Sequence, residues 1–400
     1  MYKFQSWFLP GHSTNHQLIE LYHEVLPALD NSLLTSVTFC DISRGFDRVW
    51  IRRLIFKLKR YGIKDRLLRW LNSYLENRNQ RVVSVLKDGI SEAGNVRAGV
   101  PQGSALYPLL FLVYVNDIAD EVLGLCRLFA DDTTDIDFSN LSKWSEQWLV
   151  KLNPNKTDIM VFSIRNRDFN SNFILNNIHI DPVASHRHLG VYFSSDCKWT
   201  IHINKIIEKA SKQLNVLRQL KCKLDREYLE RIYLTFILPI LEYSYEVWDN
   251  WGQMNVDRLE KINLEDARII TGLTIYSAKN HYIAKRVGKK LSIRREQRKL
   301  VLFYKITQGQ CPEYLTDLMP PLVSESTNYN LRSSQNYTIP LSRLTLYQKS
   351  FFQSTLKLWN DLDLIIRNSP SVHIFKRKLK KKNCSISPAS YISLHRQSKP

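Results

Sequence analysis

The spacing of apolar residues changes near Trp199, and this change restricts the folds open to the 400-residue chain. Before about residue 195, segments with helical spacing alternate with short β-branched and aromatic runs that are typical of buried strands. After Trp199 almost every apolar segment has helical spacing. The sequence therefore predicts an α+β first part followed by helices, and a chain of this length is expected to form roughly two to four subdomains.

The predicted elements show where the polar motifs lie. Helical spacing in the first part predicts helices over His16–Leu29 (with Asn15 as the N-cap), Asp47–Gly62, Asp65–Leu75, Ala105–Ile118 and a segment capped by Ser139 or Asn140. Strand patterns occupy Leu34–Cys40, Gln80–Lys87 (with a turn near Gly89), Arg127–Asp135 (strand, tight turn, strand), Asp158–Ile164 and His188–Phe193. Helices of the second part are predicted over Ile201–Leu220, Arg226–Trp248, Asn255–Ile270, Ser292–Thr307 and Tyr347–Ile366.

Three carboxylates stand at the ends of apolar strand segments. Asp41 ends one predicted strand, and Asp131 and Asp132 lie at a hairpin tip about 90 residues later. Carboxylates in such positions can converge on hard cations such as Mg²⁺. Two ions about 4 Å apart would activate a 3′-hydroxyl and stabilise a leaving pyrophosphate. The alternative is that Asp41 merely ends a strand and that Asp131-Asp132 is an ordinary turn dipeptide.

A glycine-rich loop precedes the most apolar predicted helix. The segment Ala98-Gly-Val-Pro-Gln-Gly-Ser104 places two glycines and a proline directly before that helix. Such a loop allows the backbone to approach a ligand closely and presents a helix N-terminus to phosphates or bases. The alternative is a plain turn into a helix.

The charge balance favours a polyanionic partner. The chain has 57 Lys and Arg against 38 Asp and Glu, a formal net charge of +19. Each phosphate that such residues neutralise releases condensed counterions. The alternatives are a ribosomal or chromatin-type basic protein and a solvated basic surface. Six scattered cysteines without a CxxC pair favour reduced thiols over disulfides. With no apolar run long enough for a membrane span, the sequence predicts an intracellular protein. We expect it in the nucleus and cytoplasm.

Three motifs in a fixed order narrow these alternatives: Asp41-Ile-Ser-Arg-Gly-Phe-Asp47, Gly99-Val-Pro-Gln-Gly-Ser104 and Phe129-Ala-Asp-Asp132. This series resembles the reverse transcriptases of non-LTR retrotransposons, particularly those of jockey-like elements. The resemblance extends to residues 5–14, Leu152-Asn-Pro-Asn-Lys-Thr157, His188-Leu-Gly190, Leu358-Trp-Asn-Asp-Leu362 and Ile366-Arg-Asn-Ser-Pro370. It implies RNA-templated DNA synthesis that extends a DNA primer with dNTPs.

The resemblance also implies an α+β right-hand polymerase fold. Its expected parts are a fingers remnant (1–35), a palm (36–195) with a fingers insertion at about 63–97, a helical thumb (196–275) and a helical basic C-terminal region with a disordered tail (276–400). The basic run Lys376–Lys382 lies in that last region.

Individual site residues follow from the same resemblance. Asp41, Asp131 and Asp132 match the catalytic palm carboxylates, which would hold two Mg²⁺ ions, with Mn²⁺ as a possible substitute. Lys156 matches the lysine that protonates the leaving pyrophosphate. The implied nucleotide-binding residues are Phe46, Gln102 and Gly103. The implied primer-binding residues are His188, Leu189 and Gly190. Phe46 would exclude a 2′-hydroxyl by its bulk.

Several positions depart from the family pattern. Trp7 stands where the family usually has glycine, Leu9 where it has arginine, and Tyr107 where a small residue often follows the loop. Only 20 residues separate Asp132 from Asn153, fewer than is usual. The chain also begins where the fingers would end, so we expect an N-terminally truncated copy with poor activity. The alternative functions are a catalytically dead relic that at most binds nucleic acid, and a telomerase-like or host-adapted polymerase.

Overall fold

The protein is described by a computed structural model that covers residues 2–43, 45–84, 89–121, 126–129, 132–135, 139–150, 152–164, 173–175, 178–249, 252–272, 291–326 and 334–385. The chain divides into two compact units. The first comprises Met1–Gln17, Ser32–His188 and Ser194–Cys197, and the second comprises Leu18–Asn31, Leu189–Phe193 and Lys198–Pro400.

All described strands precede residue 195. They are β1 (Thr35–Asp41), β2 (Arg78–Gln80), β3 (Val83–Ser84), β4 (Gly89–Ile90), β5 (Gly94–Val96), β6 (Arg127–Phe129), β7 (Asp132–Asp135), β8 (Asp158–Phe162), β9 (Ile174–Leu175), β10 (Ile178–His179), β11 (Ser185–His188) and β12 (Val191–Ser194). The helices before that point are α1 (Thr14–Asp30), α2 (Ile51–Arg60), α3 (Asp65–Leu75), α4 (Tyr107–Val115), α5 (Ile118–Glu121) and α6 (Ser139–Gln147).

The described part of the chain after residue 195 is helical. Its helices are α7 (Thr200–Leu220), α8 (Arg226–Ile232), α9 (Leu238–Glu242), α10 (Tyr245–Trp248), α11 (Gln253–Thr271), α12 (Leu291–Thr307), α13 (Glu313–Asp317), α14 (Val323–Ser326), α15 (Thr345–Gln348), α16 (Phe351–Asn360), α17 (Leu364–Arg367) and α18 (Val372–Ser385). The mixed helix-and-strand class is confirmed. The finer division into fingers, palm, thumb and C-terminal region stays a prediction.

A four-stranded antiparallel sheet in the order β6-β7-β1-β8 organises the first unit. Strand β1 lies inside this sheet, and its residues Val37–Cys40 are buried on both faces. A strand covered on both faces needs apolar residues without strict alternation, which explains the continuous apolar run in the sequence. The polar end of this strand, Asp41, marks the edge of the buried region.

Helix α4 supplies the centre of the first unit's core. Five of its nine residues are buried, and Leu109 is the exposed exception at 51%. Helix α2 adds a buried cation, Lys57, whose Nζ lies 2.6 Å from Asp117 Oδ1 and 3.5 Å from the ring centre of Trp148. Burial is the largest influence on this amine and lowers its pKa to about 8. The sequence pattern indicates an amphipathic α2 but not this buried ion pair.

Several predicted element boundaries are wrong. Helix α1 begins at Thr14, so Asn15 is not its N-cap; instead, Ser13 Oγ accepts a hydrogen bond from the backbone N–H of His16 at 3.3 Å. The predicted helix Asp47–Gly62 begins only at Ile51, after a turn. The predicted strand at 80–87 is replaced by the short strands β2 and β3, and residues 85–88 lie outside the described chain.

The predicted helix Arg226–Trp248 is interrupted at two places. A π-helical turn, Tyr233–Ile237, interrupts it and ends two residues before Pro239. Proline has no backbone N–H to donate and crowds the preceding turn, which accounts for the altered hydrogen bonding there. Ser244 lies between α9 and α10 and has a left-handed conformation with φ of 46°, which separates the two helices. The predicted helix Tyr347–Ile366 is likewise divided among α15, α16 and α17.

Basic side chains of α12 form ion pairs with two carboxylates of the second unit, of which Glu242 is buried. Glu242 accepts from Arg294 Nε at 2.5 Å and from Arg298 Nη1 at 2.7 Å, and Asp249 accepts from Lys299 Nζ at 2.7 Å. The basic run Lys376–Lys382 lies on α18, whereas the end that was predicted to be disordered falls outside the described residues. Across the described ranges, no helix combines the length and apolar character that a membrane span requires.

Candidate active site

Strand pairing places two of the predicted carboxylate residues opposite each other. Asp41 is the last residue of β1, and the register of the antiparallel pair sets Asp132 directly across from it. Residues opposite each other in such a pair have Cα atoms about 4.5–5.5 Å apart. The Asp41 side chain is partly buried, with 22% exposed. Asp131 lies outside the described residues, so the convergence of three carboxylates stays a prediction.

A short turn holds Lys156 beside Asp41. The backbone N–H of Asn153 donates to the carbonyl oxygen of Asp41 at 3.1 Å, and Pro154–Lys156 then form a 3₁₀ turn. The side chain of Asn153 caps this turn by accepting from Asn155 N at 3.2 Å. As a result, Lys156 Nζ lies 3.1 Å from Asp41 Oδ2. The structure therefore brings together two predicted catalytic residues that are 115 positions apart in the chain.

Phe46 lies in an aromatic cluster on the turn after β1. Its ring centre is 4.2 Å from that of Phe111, 4.7 Å from that of Tyr107 and 5.5 Å from that of Trp7. Phe46 is only partly buried, so some of its surface remains exposed to solvent. Trp7 and Tyr107, two of the residues that depart from the family pattern, thus hold the ring in place. The sequence analysis did not predict this packing role for either residue.

The glycine-rich loop is hydrogen bonded to the same turn. Val100 N donates to Phe46 O at 3.0 Å, and Gln102 Nε2 donates to Asp47 Oδ1 at 3.0 Å. Gly99 has φ of 87°, and a Cβ atom there would lie 2.9 Å from the carbonyl oxygen of Asp47. Only glycine fits this close approach without a shift of the backbone. The predicted nucleotide-binding residues Phe46 and Gln102 are therefore neighbours in space.

His188, predicted to contact the primer, is buried within the first unit. Its ring centre lies 5.0 Å from that of Phe39, and burial lowers its pKa to about 3. The neighbouring His186 stacks on Phe39 at 4.1 Å, and its Nδ1 lies 2.6 Å from Asp158 Oδ2. This histidine–carboxylate pair was not predicted from the sequence. The spacing of His186 and His188 indicates only that the two histidines share one face of a strand, because alternate residues of a strand point to the same side.

The other two predicted primer-binding residues belong to the second unit. Leu189 and Gly190 both have positive φ, of 45° and 87°. Tyr243 donates its hydroxyl hydrogen to the carbonyl oxygen of Leu189 at 2.7 Å. A Cβ atom on Gly190 would lie 3.0 Å from the Tyr243 ring, so glycine is needed here for both conformation and space.

The donor atoms around Asp41 suit a hard cation. Its carboxylate oxygens are partly exposed at a strand end and already attract the Lys156 ammonium group. Oxygen donors of this type are the ones that Mg²⁺ and Mn²⁺ prefer. No cluster of three potential metal-binding side chains occurs among the residues whose side chains are described, and these do not include Asp131 and Asp132.

Comparison with known proteins gives a consistent result. Residues 1–193 match the family described as reverse transcriptase (RNA-dependent DNA polymerase). The chain is 27% identical over 305 residues to the probable RNA-directed DNA polymerase from transposon BS of Drosophila melanogaster, which covers 68% of this chain and 33% of that protein. The chain is 28% identical over 292 residues to the probable RNA-directed DNA polymerase from transposon X-element of the same species. This alignment covers 67% of this chain and 32% of that protein.

A third relative is the RNA-directed DNA polymerase from the mobile element jockey of Drosophila melanogaster, which is 27% identical over 301 residues. This alignment covers 68% of this chain and 32% of that protein. The chain spans about a third of the length of these curated relatives. Among solved structures, telomerase from Candida albicans in complex with a fragment of telomeric RNA superimposes on this chain with a TM-score of 0.38 and 12% sequence identity. The superposition covers 70% of this chain and 55% of the telomerase chain. That likeness is too weak to support any statement about fold. Residues 1–193 therefore match the reverse transcriptase family, and the chain is similar to the RNA-directed DNA polymerases of transposon BS, transposon X-element and the mobile element jockey.

Proposed function

We propose that the chain is an RNA-directed DNA polymerase that extends a DNA 3′-hydroxyl on an RNA template, using dNTPs. The observation that carries the proposal is the position of Asp41, directly across the strand pair from Asp132 and 3.1 Å from Lys156 Nζ. Two acidic positions and an exposed lysine ammonium group at one strand end suit phosphoryl-type transfer, which depends on positioning and charge neutralisation. Action inside the cell, in the nucleus and cytoplasm, is part of the proposal.

Asp41, Asp131 and Asp132 would hold the divalent ions, two Mg²⁺ or, as a substitute, Mn²⁺. Bound there, such ions would lower the pKa of the primer hydroxyl and neutralise charge on the departing pyrophosphate. Asp41 contributes a carboxylate fixed at the end of a buried strand, so little reorganisation is needed to bind a cation. A cation bound at Asp41 would weaken the attraction of this carboxylate for the Lys156 ammonium group, because the two positive charges repel each other and share one negative charge.

Lys156 would then act on the leaving group. Its side chain is 64% exposed on a short turn, so its Nζ can move from Asp41 toward a triphosphate without unfolding the turn. An ammonium group in that position can donate a proton to a pyrophosphate oxygen. The turn between Asn153 and Lys156 acts here as the support that keeps the amine within reach of the site.

The remaining predicted site residues would position the substrates. The exposed surface of the Phe46 ring would lie under the sugar, while Gln102 and Gly103 would contact the nucleotide and the template. His188 is buried, so its contact with a primer would have to be made through the backbone. Leu189 and Gly190 provide the positive-φ backbone that permits close approach to a strand.

We expect Phe46→Val to weaken the discrimination against ribonucleotides. The smaller side chain would leave room for a 2′-hydroxyl, so the ratio of dNTP to rNTP use should fall by roughly 10- to 100-fold. Use of dNTPs should change much less. The measurement is single-nucleotide primer extension with each nucleotide type. Phe46→Tyr is the matched control, because it retains the ring and should retain selectivity. If Phe46→Val discriminates as strongly as the unmodified chain, the ring has only a packing role.

Primer extension also tests the proposed function directly. The purified chain is incubated with an RNA template, an annealed DNA primer, dNTPs and Mg²⁺ or Mn²⁺. Extension that depends on both the template and the metal supports the polymerase. Binding of the primer–template without extension under any metal condition would favour the alternative, a catalytically dead relic that binds nucleic acid.

A further inference from the structure

The segment that follows the candidate active-site turn is strongly basic. Residues 48–81 contain 11 Lys and Arg but only two acidic residues, a net charge of +9 within a chain whose total is +19. Nearly half of the excess positive charge is therefore concentrated in this segment, which includes helices α2 and α3. The candidate active site uses none of these 11 basic residues.

Helix α3 carries basic and aromatic side chains on its exposed face. Arg66, Trp70 and Tyr74 follow one another at intervals of four residues, and Arg69 lies beside them, so the four share one side of the helix. We name these four residues the α3 stripe. Arg66 and Arg69 are exposed, and Trp70 is 52% exposed. The opposite side of the helix is anchored in the core by Leu71 and Leu75.

The two aromatic rings of the α3 stripe are nearly parallel. The ring centres of Trp70 and Tyr74 are 5.6 Å apart, with 15° between their planes. Tyr74 is partly buried and packs against the core of the first unit, whereas Trp70 leaves half of its surface in water. A half-exposed tryptophan on an anchored helix offers a flat surface to a planar ligand with little loss of side-chain freedom.

Helix α2, which packs against α3, repeats the combination of charge and exposed ring. Phe56 is 50% exposed, and the Arg60 guanidinium lies 6.0 Å from its ring centre. In the part of the chain that the structure describes, no acidic side chain forms an ion pair with the following exposed cations: Arg52, Lys59, Arg60, Lys64, Arg66 and Arg69. The positive charge of this surface is therefore not neutralised within the described protein.

We infer that the α3 stripe binds single-stranded RNA, with a base stacked on Trp70 and the backbone phosphates paired with Arg66 and Arg69. Base stacking needs an exposed ring, and charge neutralisation needs cations beside it; the α3 stripe supplies both at helical spacing. The choice of RNA rests on the proposed function, because the template of that reaction is RNA. The binding itself requires no chemistry at Asp41.

The test is the affinity of the full chain for a fluorescein-labelled oligouridine at low salt. Trp70→Ala is expected to weaken binding by roughly 5- to 100-fold, because one stacked base is lost. Trp70→Phe should restore most of the affinity. Leu67→Ala is the matched control, since Leu67 is 53% exposed on the same helix but has no ring, and its affinity should equal that of the unmodified chain.

The proposed phosphate contacts of Arg66 and Arg69 are tested by a separate measurement. The double variant Arg66→Gln, Arg69→Gln should reduce the slope of log affinity against log salt by about 1.4, which corresponds to two phosphate contacts on a single strand. Equal affinity of Trp70→Ala and the unmodified chain for oligouridine would overturn the inference. So would a preference for acidic lipid vesicles or for duplex RNA that Trp70→Ala leaves unchanged, since neither ligand offers an unstacked base.

The same experiment separates this inference from the proposed function. Asp41→Asn should bind oligouridine as tightly as the unmodified chain, because Asp41 is not part of the α3 stripe. If Trp70→Ala loses RNA affinity while no primer extension can be detected, the RNA surface stands and the polymerase proposal fails. If extension is observed but Trp70→Ala binds RNA normally, only the inference about the α3 stripe is wrong.

Discussion

Asp41→Asn is expected to reduce template-dependent primer extension by at least about 10²- to 10³-fold, to the background of the assay. The substitution keeps the size of the side chain but removes the negative charge that would hold a divalent cation and that now attracts Lys156. Because the exposed Lys156 partner makes this a surface ion pair, the folding free energy should change by only about 0–1 kcal/mol. Extension is measured with Mg²⁺ and again with Mn²⁺, and Mn²⁺ binding is followed by its paramagnetic signal.

Asp120→Asn is the matched control for this experiment, since Asp120 is an exposed carboxylate of the first unit that belongs to helix α5 and not to a strand of the sheet. It should leave both extension and Mn²⁺ binding unchanged. Full extension by Asp41→Asn would remove Asp41 from the catalytic residues. If the variant instead unfolds at a lower temperature than the unmodified chain, the loss of extension would have a structural cause and the role of Asp41 would rest on Mn²⁺ binding alone.

Asp266→Asn is expected to stabilise the second unit at alkaline pH. Asp266 lies on α11 with no exposed surface, and neither of its carboxylate oxygens has a hydrogen-bond partner among the described residues. Burial, with a smaller effect from the charge of Glu230, raises the pKa of this carboxyl group to about 8. The folded protein therefore keeps a proton that the unfolded chain, with an ordinary aspartate pKa, releases near pH 4.

The sign of the pH effect follows from proton linkage. Between pH 4 and pH 8 the folded state binds more protons at Asp266 than the unfolded state, so the free energy of unfolding falls as the pH rises. We expect the unmodified chain to lose roughly 2–4 kcal/mol from this group between pH 5 and pH 9. Asp266→Asn cannot ionise and should avoid this loss, so its advantage should grow with pH. Urea unfolding at both pH values measures the difference.

The control is Asp257→Asn, which removes an exposed carboxylate from the same helix. This variant should change the free energy of unfolding by the same amount at pH 5 and at pH 9. A constant difference between Asp266→Asn and the unmodified chain from pH 5 to pH 9 would show that Asp266 does not titrate in this range in the folded protein.

The sequence by itself determined the elements that carry the site. The apolar run before Asp41 predicted a buried strand, and the structure has β1 there, ending at that residue. The helix Asp65–Leu75 was predicted with the bounds that the structure shows. These features were predictable because they depend on local spacing and on the identity of a few residues. The ordered motifs predicted the family in the same way, and the comparisons confirm it.

Local signals failed where neighbouring residues compete. The long predicted helix Arg226–Trp248 is interrupted because Pro239 removes a backbone donor and Ser244 adopts a left-handed conformation. Helical spacing continues through such breaks, since the apolar residues still face one core. The capping residue of α1 was also misplaced, because Ser13 and Asn15 are both good N-caps and only the backbone geometry shows which one accepts the hydrogen bond.

Only the tertiary structure decided which distant residues meet. The pairing of Asp41 with Lys156, of His186 with Asp158 and of Lys57 with Asp117 joins positions that are 115, 28 and 60 residues apart. No periodicity in the sequence encodes these contacts, because each depends on the register of the sheet or on the packing of helices against it. The sequence thus determined the chemical groups and the strands and helices that bear them. The fold determined which of those groups share a site, since a side chain acts only on the groups that packing brings within contact distance.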